Sequence, residues 1–117
     1  MEKPSDIGSD LLRGSTPSLV LAVLHEGPAH GYAIAKRINK AAESPLQLKQ
    51  GTLYPVLHGL ERDGFVTGEW EHPEGERPRK VYAITPSGNA ELVRRTNEWK
   101  RFAASVNTVL GVKFETV

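Results

Sequence analysis

Two groups of side chains carry chemistry that a bare scaffold does not need. Gln50, Thr52, Tyr54, His58 and Arg62 fall opposite Leu53, Leu57 and Leu60 if residues 49–63 are helical. Amides, hydroxyls, imidazoles and guanidinium groups on one helix face are the donors and acceptors that touch base edges and phosphates. Arg77, Arg79 and Lys80 cluster at the end of the turn-rich stretch HPEGERPR. Each group alone also fits an ordinary solvated surface, and Glu74 and Glu76 offset part of the positive charge. A polar helix face followed by a basic hairpin points instead to a nucleic-acid surface.

Other chemistries find little support. There is no cysteine, which excludes a thiolate zinc site, a disulfide framework and a cysteine nucleophile. No Gly-rich phosphate loop and no GxSxG turn is present. His25, His30, His58 and His72 are scattered, and a zinc site would need them to converge with carboxylates from separate segments. Glu91 and Glu98 have Arg94, Arg95 and Arg101 as neighbours on one helix, so ion pairing accounts for them. The sequence implies no enzyme, no metal and no cofactor.

The elements that must position these groups follow from breakers and periodicity. Residues 1–9 read as a loose arm. Thr16-Pro17 reads as a cap-plus-proline start for a first helix that stops at Gly27-Pro28. A second helix spans about His30 to Ala42, with Tyr32, Ile34, Ala35 and Ile38 at helical spacing and Ser44-Pro45 ending it. The third lies within Lys49–Asp63, with Gly64 as a left-handed terminus. Pro55 is tolerable there if the helix starts near Gly51 or Thr52, which places it in the first turn. Alternating runs at Phe65–Glu71 and Lys80–Thr85 form a hairpin, with Trp70 read as structural. Three helices and a hairpin are the order of a winged helix, here residues 10–85.

Thr85-Pro86 then starts a helix of about 25 residues to Leu110, with residues 86–117 making a dimerisation helix and tail. Leu92, Thr96, Trp99, Ala103, Val106 and Leu110 repeat at heptad spacing, with Phe102 and Val109 alongside. The small core before it cannot cover such a length. An apolar face left in water is seldom tolerated, so a homodimer is expected. The fold class is mainly α with a small β-hairpin (α+β): a winged helix-turn-helix plus a long C-terminal dimerisation helix.

The runs HGYAIAKRI, GTLYPVLHGLERDGFV and RPRKVYAITPSG together resemble the PadR family of bacterial transcriptional regulators. The resemblance covers about Leu11 to Leu110, and LYPVLHGLERDG is its most specific block. It implies a homodimeric winged-helix repressor that binds double-stranded DNA. It places contacts at Gln50, Thr52, Tyr54 and His58, a phosphate or packing role at Tyr32, and wing contacts at Arg79 and Lys80. The short C-terminus resembles the smaller branch of the family. In its multidrug-sensing members a tryptophan on the last helix lines a pocket at the dimer centre, and Trp99 falls at a matching position. A small apolar or aromatic effector could stack there, with Phe102 beside it; simple interface packing is the other reading of both.

A net charge of +1 does not by itself announce nucleic-acid binding. A winged-helix protein-interaction module without DNA binding is therefore the alternative. The longest apolar run, Leu19–Leu24, is too short to span a bilayer. A polar N-terminus without a signal core suits a soluble cytoplasmic protein, with no membrane partner.

Overall fold

Thr16 and Pro17 do not open the first helix; they lie inside it. A computed structural model describes residues 9–42 and 48–113, with side chains from residue 14 onward. Helix α1 runs Ser9–Glu26 with Pro17 in its interior. Proline removes one helical hydrogen bond, but burial of Thr16, Val20, Leu21, Val23 and Leu24 along one face holds the helix through it. Ser9 therefore belongs to a helix, and the rest of the expected arm lies outside the described residues.

Helix α2, Gly31–Ala41, opens on His30 in extended backbone, whose Nδ1 accepts the Ala33 amide at 3.4 Å. Ile34, Ala35 and Ile38 face the core. Its expected stop at Ser44-Pro45 lies outside the described residues. Across that gap Asn39 clamps the chain: its amide donates to the Leu48 carbonyl at 3.1 Å and accepts the Leu48 N–H at 2.8 Å. The Leu48 side chain is buried in the core. Helix α3, Gln50–Arg62, starts immediately after.

Pro55 is the sixth residue of α3, beyond the unpaired amides of its first turn. The expected rescue by a later start therefore does not hold. The helix forgoes one bond and is held by burial of Leu53, Leu57 and Leu60. It ends as expected on Gly64, with φ of 82°. The Phe65 amide reaches back to the Leu60 carbonyl at 2.9 Å and Gly64 to Glu61 at 3.0 Å, satisfying the last carbonyls.

Strands β2, Val66–Glu71, and β3, Arg79–Ile84, form the antiparallel hairpin, with Trp70 opposite Lys80 and Glu71 opposite Arg79. A two-residue strand β1, Ala29–His30, pairs with the other edge of β3, giving the order β1-β3-β2. β3 is thus central, and Tyr82 on it is buried in the core with Val66.

Helix α4, Pro86–Leu110, is capped by Thr85, whose Oγ1 accepts the Gly88 amide at 3.0 Å, and ends on left-handed Gly111. Its first turn is seated on the end of α3. Thr85 Oγ1 and Ser87 Oγ both donate to the Gly64 carbonyl, at 2.7 and 2.9 Å, and the Thr85 amide donates to Phe65 O at 3.0 Å. Gly88 lies so close to the Phe65 carbonyl that any side chain there would collide with it. His25 of α1 pairs with Asn89 of α4 at 2.8 Å. At ~1.5 Å per residue α4 is about 37 Å long, and it extends beyond the core.

Candidate nucleic-acid interface

With Leu53, Leu57 and Leu60 turned inward, the opposite face of α3 is open to solvent. Gln50, Tyr54 and His58, at intervals of four, share one line along it. They form one wall of a cleft of about 390 Å³. His30, Gly31 and Tyr32 at the start of α2 form the second wall, and Trp70, Pro78, Arg79, Lys80 and Tyr82 of the hairpin form the third. The fold therefore brings together six of the eight side chains expected at a DNA surface, Tyr32, Gln50, Tyr54, His58, Arg79 and Lys80; Arg77 lies outside the cleft on the loop of the same hairpin. Thr52 and Arg62 are exposed on α3 but do not line the cleft.

Tyr54 lies against Gly31 of α2. A Cβ built on Gly31 would sit 2.9 Å from the Tyr54 hydroxyl oxygen, so the ring lies directly over the first turn of α2. The unpaired amides of a helix start favour negative charge. A phosphate approaching here would meet the Tyr54 hydroxyl, the exposed Tyr32 ring and that helix end together.

The wing cations divide into three cases. Arg77, near the tip, is exposed and makes no ion pair among the described residues. Arg79 Nε contacts Glu71 Oε1 across the hairpin at 3.4 Å, a long and exposed pair that water and salt weaken. Lys80 Nζ donates to Glu61 Oε1 of α3 at 2.9 Å, and lies 5.4 Å from the Tyr82 ring centroid. That hydrogen bond raises the Lys80 pKa, while burial raises that of the Tyr82 phenol. Lys80 is thus engaged within the chain and is not offered to a ligand in this arrangement.

Trp70 departs from its expected structural role. It is 62% exposed and lines the cleft opposite the recognition face. In sequence it stands between Glu69 and Glu71, and only the pairing of the strands sets it opposite Lys80. His25 and His30 serve as helix-end partners. Among the described residues no three His, Cys, Asp or Glu side chains gather as a metal site, and no helix is long and apolar enough to cross a membrane.

On α4 the expected seam separates into two parts. Leu92 is half-buried against the chain's own core, whereas Thr96, Trp99, Phe102, Val109 and Leu110 are exposed and Ala103 and Val106 half-buried. Trp99 is 55% and Val109 85% exposed. The Trp99 and Phe102 ring centroids lie 6.0 Å apart, tilted by 46°, as one continuous aromatic surface.

Residues 20–94 match the transcriptional regulator PadR-like family. A transcriptional regulator of Mycobacterium tuberculosis is 33% identical over 89 residues, covering 74% of this chain and 79% of that protein. A solved transcriptional regulator from Clostridium thermocellum superposes with a TM-score of 0.79 at 30% identity, covering 87% of this chain and 96% of its own. A PadR family transcriptional regulator from Eggerthella lenta gives 0.78 at 33% identity, covering 89% and 88%.

Proposed function

The chain belongs to the PadR-like family of transcriptional regulators, and from that premise we propose a homodimeric cytoplasmic repressor that reads a pseudo-palindromic operator. It is a DNA-binding regulator with a winged-helix fold, not an enzyme. In the proposal, α3 enters the major groove, Gln50, Thr52, Tyr54 and His58 set register and selectivity, and Tyr32 meets the backbone. Arg77 and Arg79 of the wing add affinity that is largely independent of sequence.

One observation carries this reading: the polar line of α3, the start of α2 and the wing open into a single cleft. The uncovered face of α4 supports the dimer. Two chains joined there by two-fold symmetry would present two reading heads, and so a two-fold operator. A flat aromatic effector between Trp99 and Phe102 would act on that same junction.

Titration of the protein on its own upstream promoter DNA at several salt concentrations tests the proposal. Tight, site-selective binding with a steep salt dependence is expected. Binding no better than to random DNA at every salt concentration would overturn it for that promoter. Quenching of Trp99 emission by planar aromatics, in a Trp70→Phe background, tests the effector.

A further inference from the structure

Lys80 reads from sequence as a backbone contact, yet its ammonium is held by a carboxylate of α3. From the central strand β3 the side chain passes over Gly68 of β2 and ends on Glu61 of α3. Gly68 makes that path possible: a Cβ there would collide with the Lys80 stem and sit 3.3 Å from Glu61 Oε2. Tyr82, two residues along the same face of β3, supports the ammonium with its ring. The Lys80 and Glu61 side chains are 24% and 33% exposed, so their attraction is less screened than that of an open surface pair.

Among the described residues this is the one side-chain hydrogen bond that joins α3 to the wing. The wing's other ion pair, Arg79 with Glu71, links two strands of the same hairpin and cannot orient it against anything else. We propose that Glu61 and Lys80 are positioning residues for DNA binding: their ion pair, laid over Gly68 and backed by Tyr82, fixes the angle of the wing to α3 without Lys80 touching phosphate. The proposal rests on the reading above, in which α3 and the wing contact one duplex together.

The test compares wild type with Glu61→Gln, Lys80→Met and the charge swap Glu61→Lys/Lys80→Glu, by two measurements. Hydrogen exchange on the free protein is expected to quicken in the wing in both single variants and to stay as in wild type in α1 and α2. On promoter DNA each single variant is expected to bind about three- to tenfold more weakly. The logarithmic salt slope should not change, because no phosphate contact is lost. The swap is expected to recover part of both properties. If Lys80 were instead a phosphate contact restrained by Glu61, Glu61→Gln would tighten binding and Lys80→Met would lower the slope by about one. Either result overturns the proposal, as does unaltered wing exchange in both single variants. Absence of salt-dependent DNA binding by wild type would sink the DNA reading alone, and the exchange measurement would still decide the brace.

Discussion

Thr85 and Gly64 are joined by a 2.7 Å hydrogen bond from the threonine hydroxyl to the glycine carbonyl, and the same hydroxyl oxygen caps α4 by accepting the Gly88 amide. One atom thus caps α4 and ties its start to the glycine that follows α3. Thr85→Ala should cost about 1–2 kcal/mol in urea unfolding, at the upper end for a cap because the Gly64 carbonyl loses one of its two donors as well. Thr85→Ser should retain most of that stability.

Two glycines should respond in opposite directions. At Gly88 a methyl group would meet the Phe65 backbone carbonyl, which cannot move without displacing β2, so Gly88→Ala should cost about 3 kcal/mol or more. At Gly14, exposed within α1, a Cβ meets nothing within 4 Å. Gly14→Ala should stabilise by about 0.5–1 kcal/mol through helix propensity. Thermal unfolding of the two variants measures both.

The dimer proposal predicts a large effect from the exposed aromatics of α4. Removing a side chain that becomes buried on pairing loses roughly 1.5–3 kcal/mol, and symmetry applies the loss twice. Trp99→Ala should therefore raise the dimer dissociation constant by at least about tenfold, measured by sedimentation equilibrium. A wild-type constant for Trp99→Ala combined with Val109→Ala would exclude this face as the junction.

Arg77→Ala and Arg79→Ala should each weaken promoter and random DNA alike, and each should lower the salt slope by about one. Glu71 competes with a phosphate for the Arg79 guanidinium, so Glu71→Gln should tighten binding modestly while Glu76→Gln does so only through overall charge. Affinity measured at several salt concentrations separates these cases.

Acid stability should carry the signature of one carboxylate. Hydrogen bonds from Arg94 and then Arg95, at 2.8 and 2.7 Å, hold the Glu91 carboxyl at about 2, below its ordinary value of 4.5. A pKa lowered by folding contributes stability that is complete above 4.5 and fades as pH falls toward 2. Glu91→Gln should flatten unfolding stability across that window. The effect should be small, because Arg94 is largely exposed.

Features set by adjacent residues were legible in the sequence, and features set by distant ones were not. The caps at Thr85 and Gly64 and the full extent of α4 follow from local hydrogen bonding and steric rules. The leucine line of α3 follows from helical period, and with it the polar face that forms the cleft. Pro17 misled because a cap-plus-proline signal reports what could start a helix, while burial of Thr16 and Val20 decided that the helix passes through. β1 is two residues long and exists only by pairing with β3, some fifty residues later. The Lys80–Glu61 contact spans 19 positions and depends on Gly68 being bare. No period or turn rule reports such a path, and so Lys80 read as one more wing cation. Asn39, an ordinary polar residue on α2 by pattern, ties α2 to the backbone of Leu48, two residues before α3, through two hydrogen bonds.

No residue lies between the end of β3 at Ile84 and the cap of α4 at Thr85, and the first turn of α4 is bolted to the peptide of Gly64 and Phe65. The joint has no hinge. In a paired molecule each reading head and its α4 would turn as one lever, pivoted where the two long helices cross. A change in that crossing would swing both α3 helices through an arc and leave each surface intact. A bound effector would then alter the tolerated distance between half-sites, and leave the bases preferred within each half-site as they were.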